Sequence, residues 1–455
     1  MLFISLILGK ITLFFNRLTG SGGSAMPGLA VEKINSNFIE FLAVKNFPKG
    51  VILITGTNGK TTTSKMIAGI LDKAGISYLH NRAGSNLPRG IASAMIGASS
   101  ILGKIKADIG LFEVDEAAIP KLTLMLQPKI ILVTNLFRDQ LDRYGELDKT
   151  ARLFKQAFEQ SNAAICLNSD DPLVAGLSLG LSKKHISFYG VSDYPDQLLD
   201  DLHSIDVTTS PVSSSKLVYS KRYFGHVGIY ETENQDFKRP KPDVELVKLK
   251  KSDINRSEFI IKINETLEKI NLPLAGLYNI YNSLAATAVA SKLGIRGKII
   301  IDTLNHISPA FGRMEIIKYY DRNLYLLLIK NPTGLNQIIQ TFLLKKPNTP
   351  VLIIINDNIA DGRDVSWLWD SAVEAISKNK GPMLVSGIRA YDMGLRLKYA
   401  GVKNFLIEPD INLALRKIVE ITPKNKPAFI LPTYTAMLNI RAKIVKKSEA
   451  KEFWK

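Results

Sequence analysis

The sequence predicts an α/β protein in which helices cover largely parallel sheets, divided between successive domains. Three observations support this prediction. The chain has 455 residues, which is more than one hydrophobic core usually organises. Short apolar runs alternate with stretches of helical periodicity, which is the pattern of parallel strands joined by crossover helices. A glycine-rich loop ending in Gly59-Lys60-Thr61 stands between one such run and a helical stretch, which is the setting of a phosphate-binding loop.

The N-terminal sequence MLFISLILGKITLFFNRL predicts a largely apolar helix. One polar stripe recurs along it at helical spacing: Ser5, Gly9, Thr12 and Asn16. The run is shorter than the roughly 20 apolar residues of a membrane span, and it lacks the basic start and the cleavage site of a signal peptide. Two alternatives stay open for residues 2–17. The helix lies on a membrane surface with Lys10 and Arg17 near the lipid headgroups, or it packs on the next domain.

Breaks in the pattern divide the chain into three predicted parts. Residues 1–45 are an N-terminal helical segment and a linker, which contains the flexible sequence GSGGSAMPG. Residues 46–312 are a nucleotide-binding central domain, in which a polar stretch at about 198–260 predicts an insertion. Residues 313–455 are a second, Rossmann-like α/β domain.

Ten strands are predicted in the two α/β domains. In the central domain they are VILITG, DIGLFEVDE, KIILVTNL, AAICLNSDD and ISFYG, and in the C-terminal domain they are LYLLLIKNP, VLIIIND, PMLVSGI, NFLIEPD and PAFILPTY. Runs of this length and composition are typical of strands covered on both faces. A helix is predicted at AGLYNIYNSLAATAVASKLG, shortly before the domain boundary.

The net charge of +17 suggests an anionic partner, which could be nucleotide phosphates, nucleic acid or a membrane surface. Compositional bias of the organism would explain the same charge, and the sequence leaves both explanations open. The basic clusters lack interleaved aromatic residues, and no recognition module is present, so nucleic acid is not predicted as a partner.

Cys166 is the sole cysteine of the chain. An internal disulfide and a cysteine-based zinc site are therefore excluded. The residue lies in a predicted strand, which favours a buried structural thiol. The cytoplasm is the expected compartment.

The loop ITGTNGKTTTS has the chemistry of phosphate binding. Gly56 and Gly59 allow backbone N–H groups to face phosphate oxygens at a helix N-terminus. Lys60 would reach the β- and γ-phosphates, and the Thr61 hydroxyl would bind magnesium. The full Walker pattern has a glycine where this chain has Ile54.

The string TGTNGKTTT resembles the phosphate loop of the Mur ligase superfamily, and FEVDE, TNLFRDQLDRYG, GLYNIYNSLAA and GRME resemble its later motifs in the same order. The resemblance implies Glu113 as a magnesium ligand beside Thr61, because a hard cation needs oxygen ligands. It implies Asn282 as the side chain that reads adenine. Gln140 replaces a histidine of the superfamily, so one magnesium contact is not carried over. The implied ATP-binding residues are Gly56, Thr57, Asn58, Gly59, Lys60, Thr61, Thr62, Asn279, Asn282 and Arg313.

The C-terminal half resembles the MurT family, the synthetase subunits of two-subunit enzymes that amidate lipid II. The strings KNPTGLN, NDNIADGRDVSWLWD and PTYTAML support this resemblance, which runs from about residue 28 to residue 440. It implies that ATP and Mg²⁺ are used to phosphorylate the α-carboxylate of D-isoglutamate in lipid II. Ammonia then attacks the acyl phosphate and D-isoglutamine results. It also implies a heterodimer with a glutaminase subunit resembling GatD, at the inner face of the membrane.

Three aspartates crowd the loop NDNIADGRDVSW. By the resemblance, Asp364 completes the catalytic triad of the partner glutaminase, where a third triad member orients the histidine. The alternative is an ordinary turn in which Asp364 caps the following helical segment. Asp357 and Asp361 are expected to be structural.

The predicted insertion departs from the MurT pattern. Members of the family carry a four-cysteine zinc ribbon there, whereas SPVS and TENQ occupy the two cysteine pairs in this chain. Hydroxyl and amide side chains are poor zinc ligands, and His226 alone cannot hold a metal. We therefore expect no zinc.

Two rival functions remain open. One is an amino-acid-adding ligase, such as a muramyl-peptide or folate-glutamate enzyme. The loop containing Asp364 and the replacement of the usual DYAHNP motif by KNPTGLN argue against it. The other is an inactive ATP-binding scaffold. The presence of Lys60, Thr61 and Glu113 argues against that alternative.

Overall fold

The computed structural model describes residues 2–18, 25–81, 85–139, 147–182, 185–195, 205–309 and 313–445. Gln140, residues 198–204 of the predicted insertion and the predicted boundary at residue 312 lie outside this part of the chain. Within it, the chain forms a nine-stranded sheet, a six-stranded sheet and a separate two-stranded hairpin. The predicted α/β fold is therefore confirmed.

Three helices precede the first sheet: α1 (Leu2–Leu18), α2 (Met26–Glu32) and α3 (Phe38–Asn46). The predicted polar stripe of α1 faces inward, since Ser5 is fully buried and a Cβ at Gly9 would lie 2.9 Å from side-chain carbons of Val31 and Ile96. The Lys10 ammonium donates to the Ile96 and Ser99 carbonyl oxygens, so it is held against the protein. Among the described residues, no helix has the length and hydropathy to cross a membrane.

Eleven strands follow in the central part of the chain. They are β1 (Val51–Thr55), β2 (Tyr78–His80), β3 (Ile109–Glu113), β4 (Ile130–Val133), β5 (Ala164–Asn168), β6 (Ile186–Val191), β7 (Leu217–Phe224), β8 (Val227–Thr232), β9 (Val244–Ser252), β10 (Ser257–Ile263) and β11 (Thr266–Leu272). The large sheet has the order β11-β10-β9-β6-β5-β4-β1-β3-β2. Its pairs are parallel from β2 to β9, and β9, β10 and β11 are antiparallel.

Both faces of this sheet are buried at the central strands β1, β3 and β4, as their continuous apolar runs predicted. Val51 and Leu53 of β1 belong to one core, and Ile52 and Ile54 belong to the other, because successive strand residues point to opposite faces. The covering helices are α4 (Lys60–Lys73), α5 (Pro88–Ala98), α6 (Ile119–Leu126), α7 (Leu147–Glu159), α8 (Pro172–Gly176), α9 (Leu277–Lys292) and α10 (Gly297–Leu304). Helices α4, α9 and α10 pack on one face, and α5, α6 and α7 contribute to the other core.

The second sheet consists of β12 (Arg313–Tyr319), β13 (Arg322–Leu327), β14 (Val351–Ile354), β15 (Met383–Ser386), β16 (Leu406–Ile407) and β17 (Pro427–Pro432). Its order is β12-β13-β17-β14-β15-β16, and only β12 pairs antiparallel among the described strands. The helices of this part are α11 (Pro332–Ile338), α12 (Ala390–Tyr399), α13 (Ile411–Ile421) and α14 (Tyr434–Val445). All ten strands predicted from the sequence are present in the two sheets.

The two sheets share a continuous core. The cluster beneath α9 extends to one face of the second sheet, including Tyr325 and Phe429. The Tyr325 hydroxyl donates to Asn255 Oδ1 at 2.8 Å, and the Ala275 N–H donates to Met314 Sδ at 3.2 Å. The second contact places the start of β12 beside the N-terminus of α9, where the cleft described below lies, and the first joins β13 to the turn between β9 and β10.

The predicted insertion contains both a hairpin and strands of the large sheet. Strands β7 and β8 form the hairpin, whereas β9 and β10 extend the large sheet beyond β6. The Thr232 hydroxyl donates to Asp236 Oδ1 at 2.8 Å and accepts from the Phe237 N–H at 3.0 Å. Hydrogen bonds from Ser213 and Thr232 hold the pKa of Asp236 below its ordinary value. Hydroxyl–carboxylate bonds therefore join the segments that contain SPVS and TENQ.

We predict that Thr232→Val destabilises the protein by about 1–3 kcal/mol, since it leaves the N–H of buried Phe237 without its hydrogen-bond partner. Thermal unfolding measures the effect. Thr266→Val, at an exposed position at the start of β11, is the matched control and should change stability by less than about 0.5 kcal/mol. Equal melting temperatures for the Thr232 variant and the wild type would contradict this reading of the turn.

Candidate functional site

The loop between β1 and α4 has a backbone that glycine adopts most readily. Gly56 has a φ of +115° and Gly59 a φ of +92°, which lie in the left-handed region. A Cβ at Gly56 would collide with the Thr134 side chain and the Asn135 backbone, and a Cβ at Gly59 would collide with the Asn282 amide. The loop therefore lies directly against the end of β4 and against α9.

Asn135 supports the same loop from the segment after β4. Its Oδ1 accepts from the Asn58 N–H at 2.9 Å, and its Nδ2 donates to the Asn58 carbonyl oxygen at 3.1 Å. The Thr57 N–H donates to the Asn135 carbonyl oxygen at 3.0 Å, and the Thr57 hydroxyl accepts from the Phe137 N–H at 3.0 Å. These bonds fix the loop at the carboxyl edge of the parallel strands, where α/β folds bind ligands.

Glu113, at the end of β3, is the centre of a buried polar cluster. Its carboxylate accepts from the Thr61 hydroxyl at 2.9 Å and from the Ser64 hydroxyl at 2.7 Å. The His80 Nε2 lies 3.4 Å from Oε1 of Glu113. Asn81 forms two bonds with the Glu113 backbone, one to its N–H and one to its carbonyl oxygen, both at 2.9 Å. The structure thus brings together Thr61 and Glu113, the two residues predicted to bind magnesium.

The Glu113 carboxylate is held in its charged form. Burial by itself would raise its pKa, but the contacts with His80, Ser64 and Thr61 outweigh burial and lower the pKa below its ordinary value. An ionised carboxylate beside a hydroxyl oxygen is a donor set that suits a hard divalent cation. The residues present therefore fit Mg²⁺, which would stabilise phosphate charge at this position.

Lys60 begins α4 and turns back over the loop. Its ammonium donates to the Gly56 carbonyl oxygen and, at 3.1 Å, to Glu116 Oε1. Both side chains of this ion pair are largely buried. The predicted phosphate-binding ammonium is therefore positioned over the glycine loop, with its charge balanced by an acid that the sequence analysis did not select.

Helix α9 brings the two predicted adenine-side residues to the loop. Asn282 Oδ1 accepts from the Thr63 hydroxyl at 3.2 Å, and its Nδ2 donates to Asn279 Oδ1 at 3.3 Å. Asn279 in turn donates to the Ala275 carbonyl oxygen at 2.7 Å. Both amides line the cleft while they also form these internal bonds.

The second sheet supplies the opposite wall. The Asn331 Nδ2 donates to Asn58 Oδ1 at 3.1 Å, and Asn331 Oδ1 caps α11 by accepting from the Gly334 N–H at 2.9 Å. The Lys330 ammonium lies 2.6 Å from Asp139 Oδ2. Burial opposes its charge, but Asp139 and Glu116 raise the pKa of Lys330 above its ordinary value, so this second cleft ammonium stays protonated.

Arg313 completes the charged groups of this wall. It lies at the start of β12 and lines the cleft. Burial lowers its pKa from the ordinary arginine value, and the nearby Glu113 charge opposes that effect. The guanidinium therefore lies close enough to the predicted magnesium ligand for the two charges to interact.

Together these walls line a cleft that opens to solvent. Its polar lining combines the loop, α9 and the second sheet: Asn58, Gly59, Thr62, Asn135, Asn168, Asn279, Asn282, Arg313, Lys330, Asn331, Thr333 and Gln337. Its apolar part includes Phe137, Phe224 and Ile338. An apolar pocket with convergent amides beside a phosphate loop is suited to a purine nucleotide.

The aspartates of the NDNIADGRDVSW loop have three different environments. Asp361 is buried and accepts from the Thr435 N–H at 2.7 Å, which anchors the loop to α14. Asp357 pairs with Arg389 at 2.7 Å. Asp364 is partly exposed, and its Oδ1 accepts from the Ser366 N–H at 2.8 Å. This bond is a local turn contact of the kind expected for the alternative interpretation of Asp364, whereas the residue that caps the following helical turn is Val365.

Sequence reasoning missed several residues of the site. Lys330 and Asn331 lie in the KNPTGLN string, and Asn135 in the TNLFRDQLDRYG string, but none was selected as a site residue. Their position directly after strand-like runs was a usable signal, because the carboxyl ends of parallel strands converge. Glu116 ends the DIGLFEVDE string and had the same signal. His80 had none, since its strand was not predicted and its partner Glu113 is distant in sequence.

Cys166 lies within β5 and is fully buried. Burial raises the pKa of its thiol to about 12. A protonated thiol without solvent access cannot act as a nucleophile on glutamine. Because this is the only cysteine of the chain, the chain has no thiol suited to glutaminase chemistry.

Comparison with known proteins agrees with this architecture. Residues 54–290 match the family model described as the Mur ligase middle domain, which covers the loop, Glu113 and α9. Residues 328–437 match the model described as the MurT ligase C-terminal domain. The latter contains Lys330, Asn331 and Asp364.

One relative shares the family's sequence, and two solved structures share the fold. The MurT subunit of lipid II isoglutaminyl synthase (glutamine-hydrolyzing) from Streptococcus pneumoniae is 33% identical over 441 residues, which are 96% of each chain. A pseudomurein peptide ligase type C from Methanothermus fervidus superposes with a TM-score of 0.70 at 22% identity, covering 90% of this chain and 81% of that one. MurF ligase from Thermotoga maritima, solved in complex with ADP, superposes with a TM-score of 0.62 at 13% identity, covering 92% and 84%.

The fold and the site define a Mur ligase. Within this class, the chain matches the MurT ligase C-terminal model as well as the Mur ligase middle domain model. It is also 33% identical to the Streptococcus pneumoniae MurT subunit over nearly the whole of both chains. The chain belongs to the MurT family.

We predict that Cys166 does not react with a thiol reagent such as Ellman's reagent in the folded protein at mildly alkaline pH, because its pKa is raised to about 12 and it is buried. The same reagent should label one thiol per chain once urea has unfolded the protein. Absorbance of the released thiolate measures both states. Rapid labelling of the folded chain would contradict the buried, protonated state.

Proposed function

We propose that this chain is the synthetase subunit of a lipid II isoglutaminyl synthase, a ligase of peptidoglycan synthesis that forms a C–N bond at the expense of ATP. One observation supports this assignment most directly. The phosphate loop and the Lys330–Asn331 pair of the MurT-type domain meet in a single cleft, joined by the bond between Asn331 and Asn58. The proposed nucleotide site would therefore be lined by residues of the MurT-type domain as well as by the phosphate loop.

The proposed reaction has two steps. The α-carboxylate of the D-isoglutamate residue of lipid II attacks the γ-phosphorus of ATP, and ADP leaves. Ammonia then attacks the acyl carbon, loses a proton, and displaces phosphate to give the carboxamide of D-isoglutamine. Transfer of a phosphoryl group requires mainly alignment and stabilisation of charge on its oxygens.

The chain's residues have defined parts in this proposal. The backbone N–H groups of the loop from Gly56 to Thr62 would bind the phosphates. Lys60 would exchange its contact with Glu116 for phosphate oxygens, and Thr61 with Glu113 would hold Mg²⁺, which supplies charge stabilisation when bound. Asn279 and Asn282 would face adenine. Arg313 and Lys330 add positive charge where the acyl phosphate would form.

Ammonia would come from a separate glutaminase subunit. The buried, protonated state of Cys166 supports this part of the proposal, since glutamine hydrolysis needs an accessible thiolate. The partner we propose resembles GatD and forms a heterodimer with this chain. Asp364, oriented by Ser366 and open to solvent, would orient the partner's catalytic histidine. Because lipid II is anchored in the membrane, the complex would work at the cytoplasmic membrane face, with residues 2–17 in contact with the lipid surface.

The first experiment uses the purified chain alone with ATP, Mg²⁺, detergent-solubilised lipid II and a high concentration of ammonium, with mass spectrometry of the product. We expect one carboxyl group to become a carboxamide. Lys60→Ala should lower kcat/KM by at least about 100-fold, because it removes a charge that stabilises the transferring phosphoryl group. Lys73→Ala, an exposed lysine of the same helix that pairs with Asp302, should leave the rate unchanged.

Other products would point to the rival functions. A product extended by an amino acid supplied in the assay would identify an amino-acid-adding ligase. ATP binding without product, even after addition of the glutaminase subunit, would identify a scaffold. If Lys60→Ala amidates lipid II with the wild-type kcat/KM, Lys60 has no part in the proposed phosphoryl transfer.

The role of Asp364 can be separated from the synthetase step. We expect Asp364→Asn to abolish glutamine-dependent amidation in the two-subunit complex while ammonium-dependent amidation stays within about twofold of wild type, since only the triad loses its orienting carboxylate. Asp370→Asn, the same change six residues along the segment, is the control. Equal loss with both nitrogen sources would show that Asp364 only maintains the fold of its loop.

A further inference from the structure

Helix α1 presents an apolar face to solvent. Its exposed large side chains recur at three- and four-residue spacing along the whole helix: Phe3, Ile4, Ile7, Ile11, Phe14, Phe15 and Leu18. Phe14 and Leu18 are 60% and 66% exposed. Scattered exposed apolar residues are ordinary, but a continuous stripe of them marks an interaction surface.

Helix α1 differs from an ordinary surface helix in what it buries. A surface helix normally turns its apolar stripe to the core and its small or polar residues outward. In α1 the buried side combines Leu6 with the small residues Ser5 and Gly9, and Gly9 packs closely against Val31 and Ile96. The small residues permit close packing inward, while the seven bulky side chains named above remain exposed. Crowding therefore fixes which side of the helix faces away from the protein.

Exposed apolar residues also lie on two elements that pack against α1. The turn at Gly103 contacts both the first turns of α1 and helix α3, since a Cβ there would lie 3.2 Å from Leu6 and 3.3 Å from Leu42. Ile101 and Leu102 of that turn are 60% and 75% exposed. Phe41 and Val44, on the outer side of α3, are 55% and 81% exposed. We call α1, α3 and this turn the N-terminal apolar face.

Charge around this face favours a negatively charged surface as its partner. The first 31 residues contain no Asp or Glu, and the chain as a whole has a net charge of +17. Lys45 on α3 and Lys104 beside the turn are exposed, against one exposed acid on α3, Glu40. A second copy of a chain with this charge would be repelled, whereas an anionic bilayer attracts basic residues next to an inserted apolar surface.

We propose that the N-terminal apolar face lies in the surface of an anionic lipid bilayer, with α1 parallel to the membrane plane and its bulky side chains among the lipid acyl chains. The helix has 17 residues, and no described helix can cross a membrane, so α1 lies on the bilayer without spanning it. An amphipathic helix binds in this way through its buried apolar area and its attraction to anionic headgroups. This last step rests on the proposed function: if the substrate is lipid II, the membrane contact would bring the cleft close to a membrane-anchored substrate.

The test measures co-sedimentation of the full-length chain with vesicles of phosphatidylglycerol and phosphatidylcholine, and with vesicles of phosphatidylcholine alone. We expect binding to the anionic vesicles that weakens with added salt. The variant with Ile4→Glu, Ile11→Glu and Phe14→Glu should lose at least about tenfold in vesicle affinity, because charged groups are costly to insert among acyl chains. Leu267→Glu, an exposed apolar position on β11, should bind like the wild type.

Several outcomes would overturn the proposal. One is equal vesicle binding by the triple variant and the wild type, and another is no binding by the wild type. A wild-type oligomer in light scattering that becomes monomeric in the triple variant would assign the face to a second copy of the chain. Capture of the glutaminase subunit by the wild type but not by the variant would assign it to that subunit.

Two controls keep this result separate from folding and from the proposed reaction. Thermal unfolding should be unchanged in the triple variant, since all three side chains are exposed. Amidation of detergent-solubilised lipid II should also be unchanged, because the face is outside the cleft. Vesicle binding without any amidation by the wild type would overturn the proposed function and leave the membrane contact standing.

Discussion

The close approach of the phosphate loop to α9 is the constraint on which the rest of the site depends. Gly59 leaves no room for a side chain because the Asn282 amide occupies that position, and Asn282 also accepts from Thr63 in the first turn of α4. The phosphate side and the base side of the proposed nucleotide site are thereby fixed relative to each other. The left-handed φ values at Gly56 and Gly59 are the conformational requirement of that approach.

The second sheet supplies one wall of the cleft and is bonded directly to the phosphate loop. Asn331 joins the loop at Asn58 and at the same time caps α11, so one side chain links the two domains and orders the helix that forms the cleft wall. The cations Lys60 and Lys330 each have an acidic partner, Glu116 and Asp139. At Lys330, the neighbouring Asp139 and Glu116 charges raise the pKa of the ammonium above its ordinary value.

Two local features follow from how polar and small residues pack. In the predicted insertion, a buried threonine hydroxyl with a neighbouring carboxylate orders the turn after β8. The N-terminal helix turns Ser5, Leu6 and Gly9 inward and exposes most of its other bulky apolar residues. Hydrogen bonding thus orders the turn in the one place, and close inward packing determines which side chains are exposed in the other.

The sequence by itself determined the ten strands, the phosphate loop and the family, because buried parallel strands are long apolar runs and the loop's chemistry depends on consecutive residues. It also located the candidate residues at Thr61, Glu113, Asn279, Asn282 and Arg313, whose roles rest on motif resemblance. The tertiary structure alone decided that Lys60 pairs with Glu116, that His80 lies beside Glu113 and that Lys330 and Asn331 face the loop. These partners are separated by tens to hundreds of residues, and only the strand order brings them together. Helical periodicity likewise revealed the two sides of α1, but which side faces outward depended on packing against α2 and α5, which has no signature within the helix.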